Sequence, residues 1–423
     1  MVAKKNYLPR IADGQLRQAL ATTGAVQIKG PKWCGKTSTA EQHAKSSIFM
    51  QDPDHSRSYL QAADLKPSLL LEGKTPHLID EWQMAPQIWD AVRFAVDRRG
   101  EVGQFILTGS SVPNTEPAHT GTGRISSLLM RPLSLFESLE SKGEVSLADL
   151  FKHKPDIKAL SPLSIDDIAF ALARGGWPEA VKTTDRKQAL QRAFDYVDAV
   201  IETDISRVDG VERNPQRVRN LMRSLARNSA TQASSTTIQA DLAASDATLS
   251  LPTLADYLNA LRRIYVVEDL PAWNPALRSK SAIRTSATRH FVDPSIAVAA
   301  LRATPDKLLA DFELFGLLFE SLCIRDLRIY AETIDADVFH YRDKNDLEAD
   351  AVIALRDGRW APIEVKLGSK EIDAGAANLL ELAQKVDQKK MGSPAFLMVV
   401  TGTEFAYQRE DGVYVVPLGC LKP

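Results

Sequence analysis

The sequence predicts an α/β protein of several domains, with a parallel sheet near its start and a second α/β region at its end. A glycine-rich loop pattern at 30–37 lies between a short apolar segment and a helical segment. Two further apolar segments, at 78–79 and 104–107, each run into polar residues. Near the C-terminus, apolar segments on both sides of Asp357-Gly358 predict a β-hairpin.

The composition is that of an ordinary globular protein. The 423 residues correspond to about two to four domains. A net charge of −2 provides no overall attraction to nucleic acid, so such a partner would need a local basic patch. The three cysteines show no pairing or metal-ligand spacing, which is typical of a reducing cytosol. No segment resembles a signal peptide or a membrane span, so we expect a cytoplasmic protein without a membrane partner.

The loop at 30–37 fits the P-loop pattern G-x-x-x-x-G-K-[ST] at every fixed position. Gly30 and Gly35 let the backbone curl so that its N–H groups cradle phosphate oxygens. Lys36 would meet the β- and γ-phosphates, and the Thr37 hydroxyl would bind Mg²⁺. Residues 25–28 before the loop predict a buried strand and residues 38–44 after it predict a helix, whose N-terminus favours an anion. The alternative is a chance glycine-rich turn. The predicted nucleotide-binding residues of this segment are Gly30, Pro31, Lys32, Trp33, Cys34, Gly35, Lys36, Thr37 and Ser38.

An acidic pair follows the next predicted strand. The segment 78–81 (Leu-Ile-Asp-Glu) predicts a buried strand whose carboxyl end faces the P-loop. Asp80 would hold Mg²⁺ through water, and Glu81 would polarise the attacking water. Taken alone, this pattern is more often a strand that ends at the surface.

Two further features complete the predicted ATP site. The strand at 104–107 runs into 108–111 (Thr-Gly-Ser-Ser), where Thr108 or Ser110 could sense the γ-phosphate if the strands are parallel neighbours. The alternative is a simple Ser/Gly turn. Arg124 is the candidate arginine that neutralises charge in the transition state, often from a neighbouring subunit, although most arginines are solvated surface residues.

These segments, together with 131–137 (Arg-Pro-Leu-Ser-Leu-Phe-Glu) and 175–179 (Gly-Gly-Trp-Pro-Glu), resemble a bacterial and archaeal protein family over nearly the whole chain. That family joins an AAA-type ATPase domain to a C-terminal domain of unknown function. The resemblance implies ATP as ligand, Mg²⁺ as cofactor and an ATPase domain at about 1–150. Trp33 and Cys34 differ from the expected residues, but they occupy variable positions of the loop.

The middle of the chain predicts helices with one basic face. Asn214-Pro215 starts a helix in which 218, 221, 222 and 225 are apolar and lie on one arc. The opposite arc carries four arginines, Arg217, Arg219, Arg223 and Arg227. This arc is either a solvated face or a contact surface for the phosphate backbone of DNA or RNA.

Two short helices, at 237–242 and 250–261, and a strand at 265–270 complete a winged helix-turn-helix pattern. Ser250 and Thr253 occupy positions where base-facing residues would lie. Such domains also join proteins without contacting DNA, and the sequence leaves both roles open.

A second chemical cluster is predicted near the C-terminus. The segments 348–355 and 360–367 predict the two strands of the hairpin, and Glu364 and Lys366 share one face because side chains alternate along a strand. The hairpin can bring Asp350 against them. Two carboxylates and a lysine can bind Mg²⁺ and activate a water for phosphodiester cleavage. Upstream, Glu320 interrupts the apolar face of a predicted helix at 315–322, and a buried acid is costly without a partner.

This ordered set resembles the PD-(D/E)xK nuclease core, a restriction-endonuclease-like α/β fold. The resemblance implies that Asp350 and Glu364 are metal ligands, that Lys366 positions the nucleophilic water and that Glu320 supports the site. The same fold also serves binding and structural roles.

The sequence thus predicts three parts: an ATPase at 1–150, a helical and winged-helix-like region at 151–290, and a nuclease-like domain at 291–423. One hypothesis is an ATPase that couples ATP hydrolysis to action on nucleic acid, with cleavage by the C-terminal domain. The alternative is a nucleotide-dependent regulatory or assembly switch, in which the C-terminal domain only binds a partner and ATP changes the homo-oligomeric state.

Overall fold

The computed structural model describes residues 7–112, 120–153, 155–244, 248–276 and 283–423. The chain divides into two compact units, each assembled from separate segments. Unit 1 comprises Met1–Pro132, Glu202–Arg213 and Asn259–Val266, and unit 2 comprises Leu133–Ile201, Asn214–Leu258 and Val267–Pro423. The predicted boundaries at 150 and 290 stay predictions. No helix among the described residues is long and apolar enough to cross a membrane.

Unit 1 is built on a five-stranded sheet with the strand order β2-β3-β4-β1-β5. All of its paired strands are parallel. Its elements are α1 (Ile11–Thr22), β1 (Ala25–Lys29), α2 (Lys36–His43), β2 (Ser46–Phe49), α3 (Ser56–Leu65), β3 (His77–Asp80), α4 (Gln87–Arg99), β4 (Phe105–Gly109) and β5 (Ile125–Leu129). Short 3₁₀ turns at Pro67–Leu71 and Trp82–Met84 precede β3 and α4.

The central strands of this sheet are apolar because they are covered on both faces. Every residue of β3 and β4 is buried. One core cluster includes Ile79 and Leu107, and a second includes Leu78 and Ile106. Alternate residues of the same strands therefore fill opposite faces, as expected of a parallel sheet between helices. The carboxyl ends of β1, β3 and β4 meet at one edge, where such sheets place their ligands.

In the helical part of unit 2, α10 (Pro215–Arg227) begins at Pro215 as predicted. The Asn214 side chain accepts a 3.1 Å hydrogen bond from the Arg217 backbone N–H and so caps the helix. The elements of this region are β6 (Val145–Ser146), α5 (Leu147–Lys152), β7 (Ala159–Leu160), α6 (Ile165–Arg174), α7 (Pro178–Lys182), α8 (Arg186–Ala199), α9 (Ile205–Arg207, in unit 1), α10 (Pro215–Arg227), α11 (Ser235–Ala243), α12 (Leu251–Arg263, in unit 1 from Asn259), α13 (Ser295–Ala300) and α14 (Pro305–Ala310). A π-helical turn at Val200–Asp204 follows α8.

The predicted strand at 265–270 is wrong. Tyr265 has a left-handed backbone with φ 58°, which interrupts an extended chain. Beyond it, Val267 and Leu270 form only isolated antiparallel bridges, to Phe291 and Thr288. The three helices of the expected winged-helix pattern are present, whereas regular strands are absent from the described residues 265–276.

The C-terminal part of unit 2 is a seven-stranded mixed sheet with the order β7-β12-β13-β11-β10-β9-β8. Its remaining elements are α15 (Phe312–Ala331), β8 (Ala336–Arg342), β9 (Glu348–Leu355), β10 (Trp360–Lys366), α16 (Ile372–Lys385), α17 (Gln388–Met391), β11 (Met398–Thr401), β12 (Phe405–Gln408), β13 (Tyr414–Pro417) and β14 (Leu421–Lys422). The antiparallel hairpin of β9 and β10 is confirmed, with Gly358 at φ 92° in its turn. Both α15 and α16 pack on these strands.

Candidate functional site

The P-loop connects β1 to α2 and requires glycine at both of its fixed glycine positions. Gly30 has φ 149°, and a Cβ there would lie 2.1 Å from the backbone oxygen of Met130. Gly35 has φ 98° and precedes the first turn of α2. The backbone conformation at position 30 and the close approach of Met130, which follows β5, together explain why no larger residue can replace Gly30.

The loop is closed around Lys36, which is buried and donates to the carbonyl oxygens of Gly30 at 3.0 Å and Pro31 at 2.7 Å. Arg10 holds the loop from outside, because its guanidinium donates to the carbonyl oxygens of Cys34 and Arg131, both at 2.7 Å. Sequence reasoning missed Arg10, since no local pattern connects it to a loop twenty residues downstream.

The other loop residues have distinct environments. Lys32 forms a 2.6 Å ion pair with Asp204, which belongs to the same compact unit. Trp33 has a left-handed φ of 64° and is half exposed. Cys34 is fully buried and its thiol donates to the Met130 carbonyl oxygen at 3.3 Å, while Ser38 is exposed on the first turn of α2. The two unusual loop residues therefore leave the glycine and lysine positions undisturbed.

The predicted meeting of Asp80 and Thr108 is confirmed. These residues are direct partners in the parallel register of β3 and β4. Oδ1 of Asp80 accepts from the Thr108 hydroxyl at 2.5 Å and from the Thr37 hydroxyl at 2.7 Å. Burial raises the pKa of Asp80, and the two hydroxyl donors oppose that shift. Thr37, Asp80 and Thr108 thus form one hydrogen-bonded chain at the edge occupied by the P-loop.

Glu81 is held beside this chain by an unusual backbone. Its φ of 56° places a non-glycine residue in the left-handed region. The carboxylate accepts from the Ser110 hydroxyl at 3.0 Å and from the Gln83 side-chain amide. The sequence offered Thr108 or Ser110 as the polar residue here, and each donates to a different carboxylate, Thr108 to Asp80 and Ser110 to Glu81. Gln83 was missed, because a glutamine in a short turn carries no recognisable signal.

Arg124 lies at the wrong edge of the sheet to reach its own P-loop. It immediately precedes Ile125, the partner of Ala25 at the amino end of β1, and pairs with Asp97 at 2.7 Å. The P-loop begins about 13 Å away, beyond the carboxyl end of β1. Arg131, in contrast, follows β5 at the P-loop edge and is buried.

The C-terminal cluster forms as predicted. Glu364 is fully buried on β10, and the Lys366 ammonium lies 2.6 Å from its Oε2 and 3.8 Å from Oδ2 of Asp350. The same Asp350 oxygen accepts from the Val365 backbone N–H at 2.7 Å. This hydrogen bond fixes the Asp350 carboxylate against β10, so one lysine is shared between two acids.

Burial and mutual repulsion shape the charges in this cluster. The pKa values of Glu320 and Glu364 lie well above their ordinary range because of burial first and the neighbouring Asp350 carboxylate second. Lys366 opposes both shifts. Burial disfavours its own charge, yet Asp350 and Glu364 hold its pKa above the ordinary lysine value. Glu320 is therefore part of the same electrostatic group, as its place in the helix suggested.

The cluster offers oxygen donors that suit Mg²⁺. Oε1 of Glu364 is buried, and no hydrogen-bond donor of the described residues reaches it. Hard cations such as Mg²⁺ prefer carboxylate oxygens of this kind. Within the described part of the chain, however, no three His, Cys, Asp or Glu side chains lie close enough together to hold a metal ion. Asp350 and Glu364 as magnesium ligands stay a prediction.

The basic face of α10 is partly neutralised. Arg219 pairs with Asp198 at 3.0 Å and Arg227 with Asp241 at 2.5 Å. Arg217 and Arg223 are exposed, and Arg223 interacts electrostatically with Asp241. At the start of α12, where base-facing residues were predicted, the Ser250 hydroxyl accepts a hydrogen bond from the Thr253 backbone N–H at 3.2 Å. Ser250 therefore caps α12.

Residues 175–179, which contributed to the family resemblance, have a structural role. A Cβ on Gly176 would lie 2.1 Å from the Leu133 carbonyl oxygen. The Gly176 N–H donates to Asp293 at 3.0 Å, and the indole of Trp177 donates to Ser295 at 3.0 Å. These contacts tie the segment to the start of α13.

Comparisons with known proteins agree with the geometry of unit 1. Residues 22–139 match a family model described as AAA domain. Residues 165–307 and 315–421 match two models described as domains of unknown function, DUF8612 and DUF4143. The uncharacterized proteins Rv2008c of Mycobacterium tuberculosis and Mb2031c of Mycobacterium bovis are each 26% identical over 370 residues, covering 84% of this chain and 73% of each relative.

Among solved structures, the Walker-type ATPase PABY2304 of Pyrococcus abyssi is similar with a TM-score of 0.43 and 15% identity. The match covers 70% of this chain and 97% of that protein. The P-loop, the Asp80–Thr108 register and the family match agree on one conclusion: residues 22–139 contain an ATP-binding ATPase domain of the AAA type.

Proposed function

We propose that this protein hydrolyses ATP and couples the hydrolysis to action on nucleic acid. The observation that carries the first part is the hydrogen-bonded chain of Thr37, Asp80 and Thr108 at the P-loop edge. It joins the loop that would hold the phosphates to the strand end that carries Glu81. A phosphoryl-transfer site depends mainly on such positioning of charge around the phosphates.

Each residue has a defined task in this proposal. Lys36 would exchange the Gly30 and Pro31 carbonyl oxygens for phosphate oxygens when ATP binds. Thr37 and Asp80 would hold Mg²⁺, which when bound neutralises negative charge on those oxygens. Glu81 would accept a proton from the attacking water, and Ser110 and Gln83 would orient its carboxylate.

The Glu81 assignment is tested by measuring phosphate release and ATP binding in three variants. Glu81→Gln should lower the turnover rate by roughly 10²- to 10⁴-fold and still bind ATP, because only the proton acceptor is lost. Lys36→Ala should lose binding. The exposed Glu101→Gln, at the opposite edge of the sheet, is the matched control and should behave as wild type. Wild-type turnover by Glu81→Gln would refute the assignment.

Arg124 can serve a second copy of the chain, since its own P-loop lies at the other edge of the sheet. The proposal therefore includes an ATP-dependent homo-oligomer. Light scattering with and without an ATP analogue should show an increase in mass, and Arg124→Ala should lower turnover without weakening ATP binding. A protein that stays monomeric with bound nucleotide, and hydrolyses it at full rate, would exclude this role.

The second part of the proposal concerns the C-terminal cluster. We propose that Asp350 and Glu364 hold a divalent cation, that Lys366 positions a water and that Glu320 supports the site during cleavage of DNA or RNA. Glu320 on α15, Asp350 on β9 and Glu364 with Lys366 on β10 follow in the order in which the PD-(D/E)xK resemblance was found. The buried Oε1 of Glu364, which lacks a hydrogen-bond donor in the described residues, is the specific support for a cation.

Metal binding and cleavage are measured separately. Calorimetric titration with Mn²⁺ should show binding that Glu364→Gln loses and that the exposed Glu410→Gln retains. Single- and double-stranded DNA and RNA incubated with Mg²⁺ or Mn²⁺ should be cleaved by the wild type and not by Lys366→Ala. Equal cleavage by both proteins would exclude the nuclease.

The alternative function is a nucleotide-dependent regulatory or assembly switch whose C-terminal domain only binds a partner. The sharing of Lys366 between Asp350 and Glu364 favours it, because a closed ion-pair cluster is also a stable structural feature. ATP-dependent assembly without cleavage of any nucleic acid would support this alternative.

A further inference from the structure

Two adjoining grooves lie beside α10 in unit 2, with volumes of about 330 and 440 Å³. They share Arg219, Ala300 and Arg302 and therefore form one continuous depression, here called the α10 groove. Its first part is lined by Gln191, Phe194, Val197, Asp198, Ile201 and Ala299, besides the shared residues. Its second part adds Gln216, Asn220, Arg223 and Leu301.

The α10 groove is positively charged although the chain as a whole is not. Arg219, Arg223 and Arg302 line it, against the single carboxylate of Asp198, which Arg219 already pairs. The helix itself contributes no acid, since its sequence PQRVRNLMRSLAR contains neither Asp nor Glu. A basic depression on a chain with a net charge of −2 is a local electrostatic feature that can attract an anion.

The packing of α10 determines which residues line the groove. Val218, Leu221 and Leu225 are buried, and the helix packs on α11 and α13 through its apolar side. Arg219 and Arg223 then follow one another at intervals of about 6 Å along the helix axis.

Arg302 completes the row from a different element. It follows α13 with a left-handed φ of 52°, a conformation that costs a non-glycine residue about 1–3 kcal/mol. Its side chain is exposed. Strained backbone that turns a cationic side chain toward a groove is typical of ligand sites.

We propose that the α10 groove binds the phosphodiester backbone of a nucleic acid. This inference deepens the proposed function and rests on nucleic acid being the substrate. Arginine presents a planar fork of donors that matches phosphate oxygens, and two arginines about one turn apart on α10 suit a repeating charge. The side-chain amides of Gln216 and Asn220 are hydrogen-bonded to each other at 3.1 Å and keep further donor and acceptor atoms for sugars and base edges. An acidic peptide would also satisfy the arginines, so binding of polyglutamate is measured beside that of nucleic acid.

The groove differs from the winged-helix mode that the sequence suggested. There, Ser250 and Thr253 on the third helix would face the bases, but Ser250 is engaged in capping that helix. The arginines lie on the first helix, and Arg302, which sequence analysis did not single out, joins them. Of the four arginines on α10, Arg217 lies outside the groove lining and is a matched internal control.

The test is fluorescence anisotropy of the full chain with labelled single-stranded DNA, duplex DNA and single-stranded RNA, in EDTA and without ATP. Arg223→Ala and Arg302→Ala should each weaken binding roughly tenfold, because each removes a charge-assisted contact. Each should also reduce the slope of log affinity against log salt by about one. Arg217→Ala should change the affinity by less than about twofold.

Thermal melting serves as the control for correct folding, and the variants at these exposed positions should have the melting temperature of the wild type. Arg223→Lys should retain part of the nucleic-acid affinity. An equal loss in Arg217→Ala would overturn the groove in favour of a diffuse basic face. Absence of nucleic-acid binding by the wild type would also overturn it, as would tighter binding of labelled polyglutamate than of any nucleic acid. Because binding is measured in EDTA, without the divalent cation that cleavage would need, a failed nuclease proposal leaves this result intact.

Discussion

Glu81 shows how a strained residue can serve a predicted chemical task. Its left-handed backbone costs about 1–3 kcal/mol for a residue with a Cβ. Ser110 and Gln83 hold the resulting carboxylate position by hydrogen bonds. Strain of this kind persists only where the surroundings over-determine it, which supports a functional role for the position.

We therefore expect Ser110→Ala to lower the rate of ATP hydrolysis by roughly tenfold, because loss of one hydrogen bond loosens the Glu81 carboxylate. ATP affinity should stay unchanged, since Ser110 does not belong to the P-loop. Steady-state kinetics separates the two effects, and Ser110→Thr should restore part of the rate. A large loss of ATP affinity in Ser110→Ala would assign the serine to nucleotide binding instead.

His290 connects pH to stability through burial. Its ring is buried, Nδ1 lies 3.0 Å from the Ser321 hydroxyl, and burial lowers its pKa from 6.5 to about 3. Below pH 6.5 the unfolded chain takes up a proton that the folded chain does not. Stability from this group is therefore complete above pH 6.5 and falls with pH by about 1.4 kcal/mol per unit, until the folded pKa is reached.

Urea melts of His290→Gln should consequently depend less on pH than wild-type melts, by about 2 kcal/mol between pH 6.5 and 5. His153→Gln, at an exposed histidine, is the matched control and should follow the wild type. Identical slopes for His290→Gln and wild type would mean that His290 becomes protonated in the folded protein.

At the scale of elements, two helical glycines illustrate how packing decides a substitution. Gly316 in α15 has no atom within 4 Å of an added Cβ. Gly375 in α16 faces the carboxylate cluster, with Lys366 Cε at 3.3 Å and Glu364 Cβ at 3.4 Å from such a Cβ. Helix propensity favours alanine at both positions, but only the first has room for it.

Gly316→Ala should raise the free energy of unfolding by about 0.5–1 kcal/mol, as expected for alanine in a helix interior. Gly375→Ala should gain less or lose stability, because its Cβ presses on β10, and it should weaken Mn²⁺ binding at the cluster. Denaturant melts and the Mn²⁺ titration measure both. An equal increase in the free energy of unfolding in the two variants would show that β10 shifts without cost to accommodate the added Cβ on α16.

Across the whole of unit 2, a buried charge network joins segments far apart in the chain. Arg325 pairs with Asp293 at 2.8 Å and with Asp326 at 2.7 Å, and all three are fully or almost fully buried. Asp326 also accepts from the Leu135 backbone N–H at 2.9 Å. The network therefore anchors the segment after Pro132, the start of α13 and the middle of α15 to one another.

Asp326→Ala should lower stability by about 3–5 kcal/mol, because it leaves Arg325 with one partner and the Leu135 N–H with none. Asp373→Ala, which breaks the exposed pair with Arg409, is the matched control and should cost less than about 1 kcal/mol. Chemical denaturation followed by circular dichroism measures both changes. Similar values for the two variants would show that the buried network contributes little.

Features that contiguous residues encode could be predicted from the sequence. The P-loop, the Asp80-Glu81 pair and the β9–β10 hairpin follow from local spacing and period, and the structure forms each of them. Even the Asp80–Thr108 contact follows, because parallel strands bring their carboxyl ends to one edge. By contrast, the prediction of a wing strand at 265–270 was wrong, because the alternation of residues does not reveal the left-handed backbone at Tyr265.

The distant residues that complete these sites could be identified only from the folded structure. Folding alone brings Arg10 to the P-loop, Asp204 to Lys32 and Arg302 to the α10 groove. The structure also places Arg124 at the end of the sheet opposite to the P-loop of the same chain, and this position depends on strand order and register. The physical reason is that local pattern fixes the conformation of a segment, whereas burial and electrostatic pairing between segments fix which side chains meet.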